Sequence, residues 1–276
     1  MTKSSQLTVG YIPYLNCVPF FHYLQHFGFS GKLVSGVPSE LNQRLQQAEL
    51  DVSPSSSFEY ARNWRDYLLL PGHSISSIGS VESVLLFSPV ALEDLSGKTI
   101  IITGDSATSI NLLRVLLREY VGLNDVLDEV PQRPVEDLIA EGKPALLIGD
   151  RALQVAANLP EEMYCFDLGQ VWYQYTGLPF VFALWMVRRD SVALYADELY
   201  NLTEQLKQSQ IKFFNELDSI AENLCVESIL TTKEKINYWQ SIDYGLNEKH
   251  IEGMQLFFDL CLKYSLLTEQ PQIEFL

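Results

Sequence analysis

The stretch Val9-Gly10-Tyr11-Ile12-Pro13-Tyr14-Leu15-Asn16-Cys17-Val18-Pro19-Phe20 decides how the chain is read. Leu7 to Tyr11 predicts a first β-strand, which breaks at Pro13. Pro19 suits the first turn of a helix, where its missing N–H has no partner to lose. That helix is expected to run to about Phe27 and to end at Gly28. Tyr14-Leu15-Asn16 therefore lies at the carboxyl end of a strand, the edge at which open α/β sheets bind ligands. Asn16 carries an amide that both donates and accepts. It reads equally as a ligand contact and as a helix cap.

Working outward, the strand-loop-helix unit recurs. Leu33 to Gly36 predicts a second strand. A helix follows from Pro38, with Ser39 as N-cap and Leu41, Leu45 and Ala48 as its apolar stripe. Asp51-Val52 opens a third strand, and Ser53-Pro54-Ser55-Ser56-Ser57 reads as a polar loop or as part of a site. Leu68 to Leu70 and Val84 to Phe87 are apolar runs of buried-strand length, separated by the hydroxyl-rich Ser74 to Ser83. Thr99 to Thr103 is a further strand. It leads into Gly104-Asp105-Ser106-Ala107-Thr108-Ser109 and a helix from Ile110 to about Tyr120. The exposed amides and dipole of such a helix start form a ready anion site; the plain alternative is a hydroxyl cap with no ligand.

Ala145 to Ile148 reads as another strand, ending in Gly149-Asp150, and Val181 to Val187 as a continuous apolar one. The order of elements in residues 98–187 repeats that of residues 7–88. Beyond Ser191, Leu199, Leu202, Leu206, Phe213, Leu217, Ile220 and Leu224 mark one face of a long helix. A second helix is expected near Lys233 to Asp243. A third follows the N-cap Asn247, with Ile251, Met254, Phe258 and Cys261 as its stripe. The expected fold is α/β: two lobes around a cleft, with a helical C-terminal tail. Lobe one would hold residues 1–87, lobe two residues 88–181, and residues 182–276 would return to lobe one and supply the tail. Val84 to Ser88 and Val181 to Val187 would form the hinge.

Composition narrows the chemistry. The 276 residues are 47% hydrophobic and 20% charged, as in a soluble globular protein with a substantial core. A formal net charge of −16 repels phosphate backbones and anionic lipid, which argues against nucleic acid and membrane as partners. Cys17, Cys165, Cys225 and Cys261 include no CxxC pair and read as reduced thiols. No run of signal-peptide or membrane-spanning character follows the N-terminus, so a cytoplasmic protein is expected. His22 and His26 lie four apart without a third ligand nearby, so no metal is expected. Phosphate-loop, dinucleotide and nucleophile-elbow motifs are all absent. Cys17 lacks a marked base and reads as a packed thiol. What remains is a cleft lined by Asn, Ser, Thr and backbone amides, suited to a small oxygen-rich anion and either catalytic or purely binding.

Several motifs then occur in a fixed order: Tyr14-Leu15-Asn16 before Pro19, Val37-Pro38-Ser39, Ser56-Ser57-Phe58-Glu59-Tyr60 and Gly79-x-Val81-x-Ser83-Val84. Ser106-Ala107-Thr108-Ser109, Ile148-Gly149-Asp150 and Thr176-Gly177-Leu178-Pro179-Phe180-Val181-Phe182-Ala183 follow. From about Val9 to Trp185 the chain resembles the chorismate dehydratases, the first enzymes of the futalosine route to menaquinone. The Pro-Asn-Asp opening of the sister dihydroxynaphthoate synthases is replaced here by Tyr14-Leu15-Asn16. The resemblance implies a type II periplasmic-binding-protein-like fold and a cytoplasmic, cofactor-free lyase. Such an enzyme removes water from chorismate to give 3-[(1-carboxyvinyl)oxy]benzoate. Carried onto this chain, it implies Asn16 and Ser83 as catalytic residues, with Ser106, Thr108, Ser109, Asp150 and Thr176 binding substrate. Glu82 lies inside one motif, and strand alternation would turn it away from the cleft. The base is left open among the substrate's own carboxylate, Asp150 and Glu59, and the oligomeric state is open too. The alternative from another class is a non-catalytic binding protein for a small anionic metabolite.

Overall fold

In the computed structural model, residues 6–104, 106–224 and 230–276 are described. β1 (Thr8–Tyr11) leads through a 3-10 turn (Leu15–Cys17) to α1 (Val18–Phe21), β2 (Lys32–Ser35), α2 (Pro38–Gln46), β3 (Val52–Ser56), α3 (Ser57–Asn63) and β4 (Tyr67–Ser77). Next come β5 (Val84–Ser88), β6 (Thr99–Ile102), α4 (Ala107–Val115), β7 (Leu127–Glu129), α5 (Val135–Ala140), β8 (Ala145–Ile148), α6 (Gly149–Ala156), β9 (Tyr164–Asp167) and α7 (Leu168–Thr176). The chain closes with β10 (Phe180–Arg188), α8 (Arg189–Val192), α9 (Ala196–Asn215), α10 (Leu217–Asn223), α11 (Thr232–Ser241) and α12 (Glu248–Lys263).

The strands form two sheets of the same plan, ordered β2-β1-β3-β10-β4 and β7-β6-β8-β5-β9. In each, three strands run parallel and the fourth in order lies antiparallel to both neighbours. The result is an α/β fold of two lobes. The chain changes sheets between Ser77 and Val84 and again between Thr176 and Phe180. Val84 to Ser88, expected to close lobe one and serve as a hinge, instead pairs with β8 and β9 of the second sheet. An apolar run announces burial on both faces, not the sheet that buries it.

Local departures from expectation have visible causes. α1 stops at Phe21 because the Ser209 hydroxyl of α9 enters its ladder. Ser209 Oγ donates to Pro19 O at 3.0 Å and accepts from Tyr23 N at 3.1 Å, replacing the direct bond between those two groups. Ser39 does not cap α2; Val37 holds that position and Pro38 takes the first helical slot. Ser53 to Ser56 are not a loop but the body of β3, registered against Ala183 to Met186 of β10. β3 meets β1 only at Val52, so its later residues have a neighbour on one side, where a proline is tolerated. The helix expected from Ile110 starts earlier, at Ala107, capped by Ser106. The long tail helix divides at Glu216, whose carboxylate accepts from Tyr23 and Lys212. Asn247 caps α12 as expected. Cys225 lies outside the described residues.

The tail belongs chiefly to lobe one. α9 lies against α1 and β4, and α12 against β10 and α3, while also touching α4 of lobe two. Trp239 Nε1 donates to Leu15 O at 2.8 Å, which seats the first loop on α11. Apolar side chains of both sheets and the tail form one large core, and a smaller cluster around Leu85, Phe87 and Leu147 fills the far side of the second sheet.

Candidate active site

The carboxyl ends of β1, β3, β6 and β8 converge on a cavity of about 410 Å³ between the lobes. That size suits a small-molecule pocket. Its walls include Tyr14, Asn16 and Cys17 from the first loop, Ser55 and Ser56 from β3, and Val81 and Ser83 from the crossing. Gly104, Ser106, Ala107 and Ser109 come from the start of α4, and Ile148 and Gly149 from the start of α6. α2 adds Pro38, Ser39, Asn42 and Gln46, and α3 adds Glu59 and Arg62. Four helices thus open onto the cleft, and their N-terminal partial charges offset the acidic character of the rest of the protein.

Asn16 does not cap a helix: neither the 3-10 turn nor α1 has a side-chain cap. It lines the cleft, and its buried Oδ1 has no hydrogen-bond partner among the described residues. The same holds for Asn42 Oδ1 and Ser55 Oγ, two further residues of the lining. Ser83 also lines the cleft and is 2% exposed. It is delivered by a tight turn that Asp167 of β9 organises. Asp167 Oδ2 accepts from Ser80 Oγ at 2.6 Å, Val81 N at 3.0 Å and Glu82 N at 2.6 Å. Glu82 is outside the cleft lining, as expected, though for a different reason. The segment is a turn and not a strand, and Glu82 takes a left-handed φ of +62° there.

At α4 the expected anion-binding group divides. Ser106 and Ser109 line the cleft, with Ser106 Oγ accepting from Ser109 N at 3.3 Å. Thr108 is fully buried, and its Oγ1 accepts from Phe58 N at 2.8 Å, tying the starts of α3 and α4 together. Asp150 and Thr176 are likewise outside the lining. Asp150 Oδ1 accepts from Leu15 N at 3.4 Å, so it reaches from lobe two to support the loop that carries Asn16. Thr176 Oγ1 donates to Trp172 O at 2.9 Å and accepts from Leu178 N at 3.1 Å, closing α7. Burial raises the pKa of Asp150 and of Glu59, while Arg62 and Asn63 pull Glu59 back down. Burial, helped by Asp150, holds the Cys17 thiol far above its ordinary pKa, which fits a packed thiol and not a nucleophile.

The sequence reading of the serine run as part of a site fits Ser55 and Ser56, which line the cleft, whereas Asn42, Gln46 and Arg62 were missed. Arg62 was within reach: it follows Glu59 by three residues on a helix, and such residues share a face.

Comparison with known proteins agrees with this geometry. A relative from Thermus thermophilus named chorismate dehydratase is 32% identical over 267 residues, 90% of this chain and 93% of that protein. Another of that name, from Campylobacter jejuni, is 31% identical over 181 residues, covering 63% and 64%. Among solved structures, an alkanesulfonate-binding protein from Xanthomonas axonopodis bound to MOPS superposes with a TM-score of 0.71 at 15% identity, over 98% of this chain and 96% of that one. A protein from Archaeoglobus fulgidus gives 0.66 at 18% identity, over 96% and 99%. These neighbours establish the periplasmic-binding-protein fold. The menaquinone biosynthesis family matches residues 7–263, and with the Thermus relative this places the chain in that family.

Proposed function

We propose that this protein is a chorismate dehydratase, a lyase that converts chorismate to 3-[(1-carboxyvinyl)oxy]benzoate and water in menaquinone biosynthesis. Family membership and the Thermus relative support the activity. The observation that carries the reading is the cleft itself, where a protein of net charge −16 gathers four helix starts, Asn16, Ser83 and Ser109. Asn16 and Ser83 are its catalytic residues, and Ser106 and Ser109 bind substrate. Asp150 supports the loop that carries Asn16, Thr108 ties the starts of α3 and α4 together, and Thr176 closes α7 outside the cleft lining. A cytoplasmic location belongs to the same proposal, and the free thiols Cys17, Cys165 and Cys261 fit a reducing compartment.

The reaction removes the proton from ring C3 and the hydroxyl from C4. The C3–H electrons form the C3–C4 double bond, the ring becomes aromatic, and the hydroxyl departs with a proton as water. Aromatisation makes the step downhill, so a strong protein base is not required. The enolpyruvyl carboxylate hangs from C3 through the ether oxygen and reaches the C3 proton in a six-membered arrangement. It acts as the base, while the enzyme fixes the rotamer, excludes water and donates to the leaving hydroxyl from Asn16 and Ser83. Incubating the purified protein with chorismate tests the function. An aromatic absorbance with a product lighter by one water is expected, and unchanged chorismate would overturn the reading.

A further inference from the structure

Among the described residues lining the cleft, Glu59 and Arg62 carry charge, and both project from α3. Glu59 is anchored: its Oε1 accepts from Asn63 Nδ2 at 2.8 Å and from Gln46 Nε2 at 3.4 Å. Arg62 is exposed, which sets it at the mouth of the cleft, and its charge acts on Glu59. A guanidinium presents a planar fork that matches a carboxylate in a bidentate pair.

On the dehydratase reading, on which this inference rests, the substrate brings two carboxylates with different tasks. The enolpyruvyl carboxylate must take a proton, and a cation paired with it would stabilise its charged form and lower its basicity. The ring carboxylate has no such task and is free to be clamped. We infer that Arg62 is a specificity-determining residue that pairs with the ring carboxylate of chorismate and leaves the enolpyruvyl carboxylate basic. Glu59, fixed by Gln46 and Asn63, is the charge with which the incoming carboxylate competes for the guanidinium.

The test compares wild type, Arg62→Gln and Arg62→Lys by kcat and KM for chorismate. Two competitive probes are added: benzoate, with only the ring carboxylate, and 2-phenoxyacrylate, with only the side-chain carboxylate. Arg62→Gln is expected to raise KM and the benzoate inhibition constant roughly 10- to 100-fold, the range for a charge-assisted hydrogen bond. kcat and 2-phenoxyacrylate inhibition should stay within about threefold, and Arg62→Lys should recover part of the loss without the bidentate fork. Melting temperatures serve as the control for folding. An active wild type with unaltered KM in Arg62→Gln, a loss confined to kcat, or a loss that falls on 2-phenoxyacrylate would overturn the assignment. Inactivity of the wild type itself would instead contradict the dehydratase reading.

Discussion

Two neighbouring hydroxyls on α4 separate binding from folding. Ser109 lines the cleft, whereas Thr108 faces inward and accepts from Phe58 N. Thr108→Val keeps the shape but leaves a buried amide unpaired, and should lower unfolding free energy by about 1–3 kcal/mol in a urea titration. Ser109→Ala removes a cleft hydroxyl and should weaken chorismate binding about 2- to 10-fold with little change in stability. Weakened binding in Thr108→Val at unchanged stability would contradict this division. Sequence spacing could not make it. Both residues lie in the first turn of one helix, and which of them turns toward the cleft depends on α3, which packs there from the other lobe.

At the scale of elements, α12 is fitted to the crossing segment that precedes β10. A Cβ at Gly253 would run into the carbonyl oxygen of Pro179. Glycine costs a helix about 1 kcal/mol relative to alanine, so propensity alone favours Gly253→Ala. We expect the opposite, a net loss of about 1–3 kcal/mol from overpacking, measured as a lower melting temperature; a stabilised variant would contradict the packing. The stripe Met254, Phe258 and Cys261 made this helix legible as core, and the Asn247 cap fixed its start. β3 was expected only at its opening, Asp51-Val52, and its continuation was hidden for the opposite reason. Its serines and proline carry no strand signature, and it is a strand because β10 pairs with it along its length. The early end of α1 was hidden too, since the interrupting hydroxyl, Ser209, lies 190 residues away.

For the whole molecule, two sheets of matching plan set strand ends and helix starts around one cleft, which is how a protein of net charge −16 can present donors to a dianion. The two-lobed plan was readable because buried strands and helix stripes follow a local period. The first crossing point was not, because pairing partners are a tertiary property, whereas the second was expected close to its place; we put the lobe limits at residues 78–83 and 177–179. The lobes are also tied behind the cleft. Glu119, beyond α4, accepts from Tyr264 Oη at 2.7 Å and pairs with Lys263, while Thr108 holds Phe58. We propose that this cleft dehydrates chorismate with the substrate's own carboxylate as base and Asn16 as a positioned donor, and the single-turnover rate of bound chorismate decides it. Asn16→Ala should slow that step by roughly 10²-fold with binding largely kept, while Glu59→Gln and Asp150→Asn should stay within about tenfold of wild type. Abolished chemistry with normal chorismate binding in either amide variant would contradict it.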